Sequence, residues 1–266
     1  MIRTHRPKSL RPFFLTLLLF FSSCSRFSLT FKKDRLEWDD LEQVNHDEII
    51  GHLNELSRVY RQSNIKQLSR PRKRDATYLS QVIQKIYQEN ELFFRRRLDI
   101  KFYIVKSDEP FYFSTPKGEI YLSTHLIKKY LNSEGHLYSL LSFELIRIEK
   151  MLYQRKLIIP VGYIDTRRML YLSRLKIEFK NDVHKWSYYI LQRLGFDPDV
   201  YLSWIQVINR NSYEFALQLG NVSKISEEEA KFKTFLVDIK DVKSRKAFQP
   251  SSSRFYSFIN HYKRIQ

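Results

Sequence analysis

Phe143-Glu144-Leu145-Ile146-Arg147 lies near the middle of residues 134–155, where apolar residues recur at the spacing of a helix. Phe143 and Arg147 are four positions apart, so on a helix they share one face, with Glu144 beside them. An ordinary apolar turn of a core helix would have the same pattern. The segments that flank this turn therefore decide how it is interpreted.

Around this helix the periodicity predicts few strands and many helices. Residues 100–106, 111–114 and 119–123 have the composition and alternation of three short strands. The predicted helices are residues 39–62, 75–97, 124–132, 134–155, 165–194, 198–219, 226–238 and 252–264. Asp75 and Ser133 are suited to cap two of them. Clustered strands followed by many helices indicate a mainly helical α+β domain with a small three-stranded sheet.

Several segments resemble, in the same order, those of the HtpX-type and BepA-type zinc metallopeptidases. They are Phe113–Ile127 (FSTPKGEIYLSTHLI), Asn132-Ser133-Glu134, Glu178–Asp182 (EFKND), Leu194–Ile208 (LGFDPDVYLSWIQVI) and Gln249-Pro250-Ser251 with Arg254. In that family Phe143–Arg147 would be His-Glu-x-x-His, which places two imidazoles and a general base on one helix face. The resemblance covers about residues 100–260. It implies a zincin-like fold of the gluzincin group.

The resemblance also implies roles for individual positions. Phe143 and Arg147 match the two zinc-binding histidines, and Glu144 matches the general base. Glu178 matches the third zinc ligand, and Asp182 the carboxylate that orients the site.

Most of the metal-binding chemistry is nevertheless missing. Gln249 replaces a histidine that family members use near the reacting carbonyl. Phenylalanine cannot bind a metal, and arginine stays protonated and repels a cation. Because a catalytic zinc normally has three protein ligands, we expect neither zinc nor another cofactor here.

Without zinc, the sequence does not determine which group would pair with the acidic side chains. If the fold is kept, Glu144 and Glu178 would converge on a pocket without zinc, and Arg147 could bridge Glu178 in its place. In the alternative, Arg147 points to solvent. His184 lies two residues after Asp182, so it would diverge by about 200° around the helix, and no other histidines form a cluster. The aromatic residues at helical spacing are expected in the core or lining a groove; they include Tyr188, Tyr189, Tyr201, Trp186 and Trp204.

The first residues have the pattern of a secretory signal. Arg3, Arg6, Lys8 and Arg11 precede the apolar run Phe13–Phe21, and Ser22-Ser23-Cys24 follows. Cys24 is the single cysteine of the chain, and its position is similar to the lipidated cysteine of bacterial lipoproteins. Ser25 follows it rather than Asp, which by the same resemblance favours an outer-membrane lipoprotein facing the periplasm. An incidental cysteine behind a standard signal is the alternative.

The predicted organisation is a signal peptide over residues 1–23, a tether over 24–38, an N-terminal helical segment over 39–98, and a metallopeptidase-like domain over 99–266. The formal charge is +17, and removing four basic leader residues and no acidic ones leaves +13 on the mature part. Such a balance suits anionic partners, although export argues against nucleic acid.

The leading hypothesis from the sequence is a lipoprotein held to the membrane through Cys24, with a catalytically inactive metallopeptidase-like domain that binds envelope proteins or peptides. Two alternatives stay open. One is a divergent active metalloendopeptidase that retains Glu144 and holds its metal unusually. The other is a structural envelope component whose basic surface contacts anionic polymers.

Overall fold

The computed structural model describes residues 46–154, 158, 162–197, 199–239 and 250–264. All of them belong to one compact unit, Trp38–Gln266. The predicted signal peptide, Cys24, the tether and Gln249 lie outside the described residues.

A small sheet lies among the helices. Its strands are β1 (Leu68–Ser69), β2 (Lys101–Val105), β3 (Tyr112–Ser114) and β4 (Glu119–Ser123). The described helices are α1 (His46–Ser63), α2 (Lys73–Glu89), α3 (Glu134–Glu149), α4 (Thr166–Ser173), α5 (Ile177–Arg193), α6 (Asp199–Arg210), α7 (Ala216–Leu219), α8 (Lys224–Ile239) and α9 (Ser253–Arg264), with a π-helical turn at Leu126–Tyr130. The prediction of a mainly helical α+β fold is confirmed.

The sheet has four strands in the order β1-β2-β4-β3, so the prediction of three was wrong by one. β4 pairs parallel with β2 and antiparallel with β3, whereas β1 pairs antiparallel with β2. β1 was missed because two residues are too few to show alternation. It is defined by its pairing with β2, which sequence periodicity does not reveal.

Helices cover both faces of the sheet and form two cores. Alternate strand residues, such as Ile104 and Leu122, pack with α2, α3, α5, α6, α8 and α9. Their neighbours on the opposite face, such as Val105 and Tyr121, pack with α1 and α4. Both α1 and α2 thus contribute to the cores of this unit, while the boundary near residue 98 stays a prediction. None of the described helices combines the length and apolar character required to cross a bilayer.

Some helices begin or end at residues other than the predicted ones, because contacts of individual side chains determine where they stop. α2 ends at Glu89 rather than Arg97, and it begins at Lys73, so Asp75 lies buried in its first turn instead of capping it. The predicted helix 165–194 is divided at Arg174, whose backbone is extended. The Arg174 guanidinium bonds to carbonyl groups of α7, a contact that local sequence does not encode. Ser133 caps α3 as predicted, accepting a hydrogen bond from the His136 N–H.

Candidate functional site

α3 is the central helix of the larger core, and it carries Phe143, Glu144 and Arg147. Nearly all its residues are buried, because α3 packs against α2, α5, α6 and β3. Phe143 and Arg147 line the same cavity, as their spacing predicts. The turn is therefore inside the protein, where a charged side chain needs a partner.

Glu144 and Arg147 are that pair. Both side chains are almost fully inaccessible to solvent, and Arg147 Nη2 donates a hydrogen bond to Glu144 Oε2. The two residues are three positions apart on α3, so one helix face holds the whole ion pair. Arg147 thus supplies a positive charge next to Glu144, and the hypothesis that Arg147 bridges Glu178 is wrong.

Arg147 also joins three elements of the fold. Its Nη1 donates to the Ser173 carbonyl oxygen at the end of α4, at 2.7 Å. Its Nη2 lies 3.2 Å from Ser114 Oγ on β3. The Tyr153 hydroxyl contacts the same Ser114 Oγ at 3.2 Å, and the Tyr153 ring lies 5.5 Å from the guanidinium carbon. These contacts exclude the alternative in which Arg147 points to solvent.

Burial has the largest effect on the pKa values around this pair, and neighbouring charges have a smaller one. Burial raises the pKa of the Glu144 carboxyl, although the nearby Arg147 charge and hydrogen bonds involving Ser114 and Arg147 oppose the shift. Burial also raises the pKa of the Tyr112 hydroxyl, and the charge of Glu144 adds to that effect. The surroundings of Glu144 therefore disfavour its charged form.

The cavity next to this pair is small. Its volume is about 50 Å³, well below the ~300 Å³ at which pockets begin to hold small ligands. The side chains around it are Tyr112, Phe143, Arg147, Ser173, Arg174, Leu175, Lys180, His184, Tyr201, Trp204, Ile205, Ile208, Gln218, Leu219, Ile225 and Glu228. A cavity of this size does not admit a peptide.

A second ionic cluster forms the wall opposite α3. Lys180 and His184 on α5 face Glu228 on α8: the Lys180 Nζ–Glu228 Oε1 distance is 2.6 Å, and the His184 Nε2–Glu228 Oε2 distance is 3.5 Å. His184 Nδ1 lies 2.8 Å from the Tyr201 hydroxyl on α6. The His184 ring contacts that of Phe143, with 5.4 Å between centroids. This cluster joins α5, α6 and α8 beside the cavity.

Burial and charge act in opposite directions in this cluster. Burial lowers the pKa of His184, more than its hydrogen bond to Glu228 raises it. Burial alone would raise the pKa of Glu228, but the hydrogen bonds and charges of His184 and Lys180 together lower it. Lys180 and Glu228 therefore form the closest ion pair of this cluster, and the buried His184 ring lies beside it.

Glu178 and Asp182 are not part of this site. Both side chains are exposed on the outer face of α5, and neither lines the cavity. Asp182 pairs with the equally exposed Lys185, at 3.9 Å. The expectation that Glu178 converges on a pocket with Glu144 was therefore wrong, because the buried face of α5 is two residues out of register with the matched motif.

The buried face of α5 was visible in the sequence. Val183, Ile190 and Leu191 define an apolar stripe at helical spacing. Lys180 and His184 fall on that stripe, whereas Glu178 and Asp182 fall opposite it. The motif resemblance selects the acidic residues Glu178 and Asp182, whereas the helical periodicity of α5 places Lys180 and His184 on the buried face. Glu228 lies in the same way on the apolar stripe of α8, with Ile225, Phe232 and Leu236.

The donor atoms at the cavity do not fit a catalytic zinc ion. Phe143 has no donor, and Arg147 and Lys180 are cations. His184 and Glu228 offer two ligands where three are normally needed. Among the described residues, no group of three or more His, Cys, Asp and Glu side chains could hold a metal ion.

No protein-family model matches this sequence, and no curated protein is significantly similar to it. The kinship with zinc metallopeptidases therefore depends on the motifs quoted above and stays a prediction.

Proposed function

We propose that this protein is a pseudopeptidase, a metallopeptidase-like domain that acts by binding and does not hydrolyse peptides. We further propose that it is an exported lipoprotein attached to the outer membrane through Cys24. Its function would be to hold envelope proteins or their unfolded segments. The observation that carries the proposal is the buried Glu144–Arg147 pair, at the place where a metallopeptidase would bind zinc.

The chemistry of that pair argues against hydrolysis. A general base must reach a water molecule that attacks the scissile carbonyl. Glu144 is fully buried and accepts a hydrogen bond from Arg147, and it does not line the cavity. By the resemblance to the metallopeptidases, the Arg147 charge would stand where those enzymes have a zinc ligand. Catalysis would require this pair to separate and the cavity to enlarge.

Binding would use the outer surface, since the cavity is too small for a peptide. An aromatic stripe follows the exposed face of α5: Phe179, Trp186 and Tyr189 expose 51%, 46% and 37% of their surface. The Phe93 ring contacts Trp186, with 5.1 Å between centroids, and widens the stripe. Exposed aromatic side chains on a rigid helix suit apolar segments of a partner protein.

Metal content separates the pseudopeptidase from the active alternative. We expect purified mature protein to contain no stoichiometric zinc after dialysis and to show no proteolysis. One zinc per chain, with hydrolysis abolished both by a chelator and by Glu144→Gln, would establish the metalloendopeptidase instead.

A pair of engineered variants tests the kinship itself. In Phe143→His/Arg147→His/Lys180→Glu, all three new ligands would face one cavity and would supply the two-histidine, one-glutamate set of a zinc hydrolase. The control Phe143→His/Arg147→His keeps Lys180 and the exposed Glu178. We expect the triple variant to bind one zinc ion and the double variant to bind zinc more weakly by about tenfold or more, because its two new histidines would find only His184 and the Glu228 carboxylate that Lys180 already pairs. Failure of the triple variant, while it stays folded by circular dichroism, would count against a metallopeptidase ancestry.

The binding activity is tested with an unfolded client. We expect the protein to slow aggregation of reduced insulin, measured by light scattering, and Phe179→Ser/Trp186→Ser to abolish most of the effect. The matched control is Tyr213→Ser/Tyr256→Ser, which removes two exposed aromatic residues elsewhere. If all three proteins slowed aggregation equally, the aromatic stripe on α5 would not be the binding surface.

A further inference from the structure

A groove on the opposite side of the sheet gathers arginine side chains around one tyrosine. It has a volume of about 420 Å³ and lies between α1 and β1, and among the described residues its wall contains Arg58, Arg61, Arg70 and Tyr103 but no carboxylate. Glu119 pairs with Arg61 and the exposed Glu55 pairs with Arg58, so two carboxylates lie near three guanidinium groups and the groove keeps an excess of positive charge.

Tyr103 fixes two of the arginines. The Arg70 guanidinium carbon lies 3.9 Å from the centroid of the Tyr103 ring, and that of Arg61 lies 5.7 Å from it. Arg70 Nη2 also donates to the Tyr103 hydroxyl at 2.8 Å. Stacking on an aromatic face holds a guanidinium rigidly and leaves the rest of its edge free to donate.

The carboxylates nearby leave donors unused. Within the described residues, Arg61 makes all its hydrogen bonds through Nη1, to Glu119, Ser57 and Tyr121. Arg70 forms no ion pair with any described carboxylate. Arg58 pairs with Glu55, but both side chains are more than half exposed, so this pair is weak and can exchange.

We propose that this groove binds a phosphate group through Arg58, Arg61 and Arg70. Phosphate carries up to two negative charges and several acceptor oxygens, which suits three guanidinium groups lining one groove better than a single carboxylate does. Ile65, which is 73% exposed, and Leu68 form an apolar rim beside the arginines. The rim allows the phosphate to belong either to a lipid headgroup or to a free anion. The proposal is independent of the metallopeptidase resemblance.

Arginine-selective labelling tests the site in the unmodified full chain. Phenylglyoxal modification, mapped by mass spectrometry, is compared without additive, with inorganic phosphate and with dihexanoyl phosphatidic acid, which is a soluble short-chain lipid. We expect both phosphates to protect Arg58 and Arg70 but not the exposed Arg95 and Arg96. A lower protecting concentration for the lipid would identify a headgroup site, and equal concentrations a free-phosphate site. Identical labelling of Arg58 and Arg70 with and without either phosphate would overturn the proposal.

Charge-matched variants give an independent answer. Arg58→Gln/Arg70→Gln removes two groove arginines, and Arg95→Gln/Arg96→Gln removes two arginines from another exposed loop. Calorimetric titration with dihexanoyl phosphatidic acid should show affinity reduced by about tenfold or more in the first variant and by less than about twofold in the second. Equal losses would show that only net charge matters, and the groove would not be a site.

Discussion

Two arginine–glutamate pairs lie on opposite faces of the sheet, and their carboxylates differ in how completely they are hydrogen bonded. Glu119, on the α1 side, accepts hydrogen bonds from Arg61, from Ser57 and from Tyr121. Glu144, on the α3 side, accepts a hydrogen bond from Arg147 at Oε2. Ser114 lies near enough to lower the Glu144 pKa, but Glu144 Oε1 has no partner of normal hydrogen-bond geometry among the described residues. Arg147 Nε is also unpartnered there.

The difference separates a contact between distant elements from an incompletely hydrogen-bonded pair within one helix. Arg61 and Glu119 join α1 to β4, so their contact links distant parts of the chain. Glu144 and Arg147 are neighbours on α3, and their pairing by itself joins nothing. Buried polar groups are normally fully bonded, so an incomplete network in a core calls for an explanation. Inheritance from a site that once held a different charge is the explanation that our proposed function offers.

Removal of each arginine should have the largest effect and should separate the two pairs. We expect Arg147→Met to lower the free energy of unfolding by ~3–5 kcal/mol, because it leaves Glu144 buried without a counter-charge. Arg61→Met should cost less, ~1–2 kcal/mol, since Glu119 keeps Ser57 and Tyr121. Urea unfolding followed by circular dichroism measures both. Equal losses would mean that the two carboxylates are equally dependent on their arginines.

When both members of a pair are replaced with apolar residues, we expect the α3 site to keep or gain stability and the α1 site to lose it. Glu144→Leu/Arg147→Met removes an incompletely bonded pair, and we expect a change in unfolding free energy between zero and a gain of ~2 kcal/mol. Glu119→Leu/Arg61→Met leaves Ser57 and Tyr121 without their acceptor and should cost ~2 kcal/mol. A large loss from the α3 double variant would show that the Arg147 contacts with Ser173 and Ser114 dominate.

Two serines offer a finer comparison. Ser114→Ala removes a hydroxyl that contacts Arg147 and Tyr153, and Ser57→Ala removes one that contacts Arg61 and Glu119. We expect each to cost ~1 kcal/mol, with the larger loss for Ser57 because Glu119 loses a donor directly. Urea denaturation of the two variants in parallel gives the ranking. A larger loss for Ser114 would indicate that the α3 pair depends more strongly on its surroundings than the contacts suggest.

The sequence predicted the elements of this fold better than it predicted the site. β2, β3 and β4 occur within about one residue of their predicted positions, because periodicity reports which face is buried. Each predicted helical region contains a helix or helical turn, but the predicted helices 75–97 and 134–155 end at Glu89 and Glu149, and 198–219 breaks after Arg210. The spacing of Phe143 and Arg147 was also sufficient to place both at one cavity. Breaks such as the one at Arg174 depend on contacts between distant segments, and no local pattern carries them.

The partner of Arg147 shows why the rest of the site could not be predicted. Motif matching placed Glu178 opposite Arg147, whereas the actual partner is Glu144, on the same helix. Choosing between them required the rotation of α5 about its axis, which is set by packing against α3 and α8. The Lys180–Glu228 contact likewise joins two helices through residues 48 positions apart in sequence. Such pairings are properties of the folded protein.

The smallest expected effect is a dependence of the unfolding free energy on pH. It tests directly whether the Glu144 charge is less well compensated than that of Glu119. Burial raises the pKa of Glu144 in the folded protein above its ordinary value. Between those two values the folded state binds more protons than the unfolded state, so stability falls as pH rises through that window and levels off above it.

Gln at this position cannot titrate. The difference in unfolding free energy between wild type and Glu144→Gln should therefore shift against the wild type as pH increases from the ordinary glutamate pKa. Urea denaturation of both proteins at a series of pH values above 4 measures this shift. A difference that is constant with pH, or that moves in favour of the wild type, would mean that Arg147 compensates the Glu144 charge fully and that the α3 pair is as well satisfied as the pair on α1.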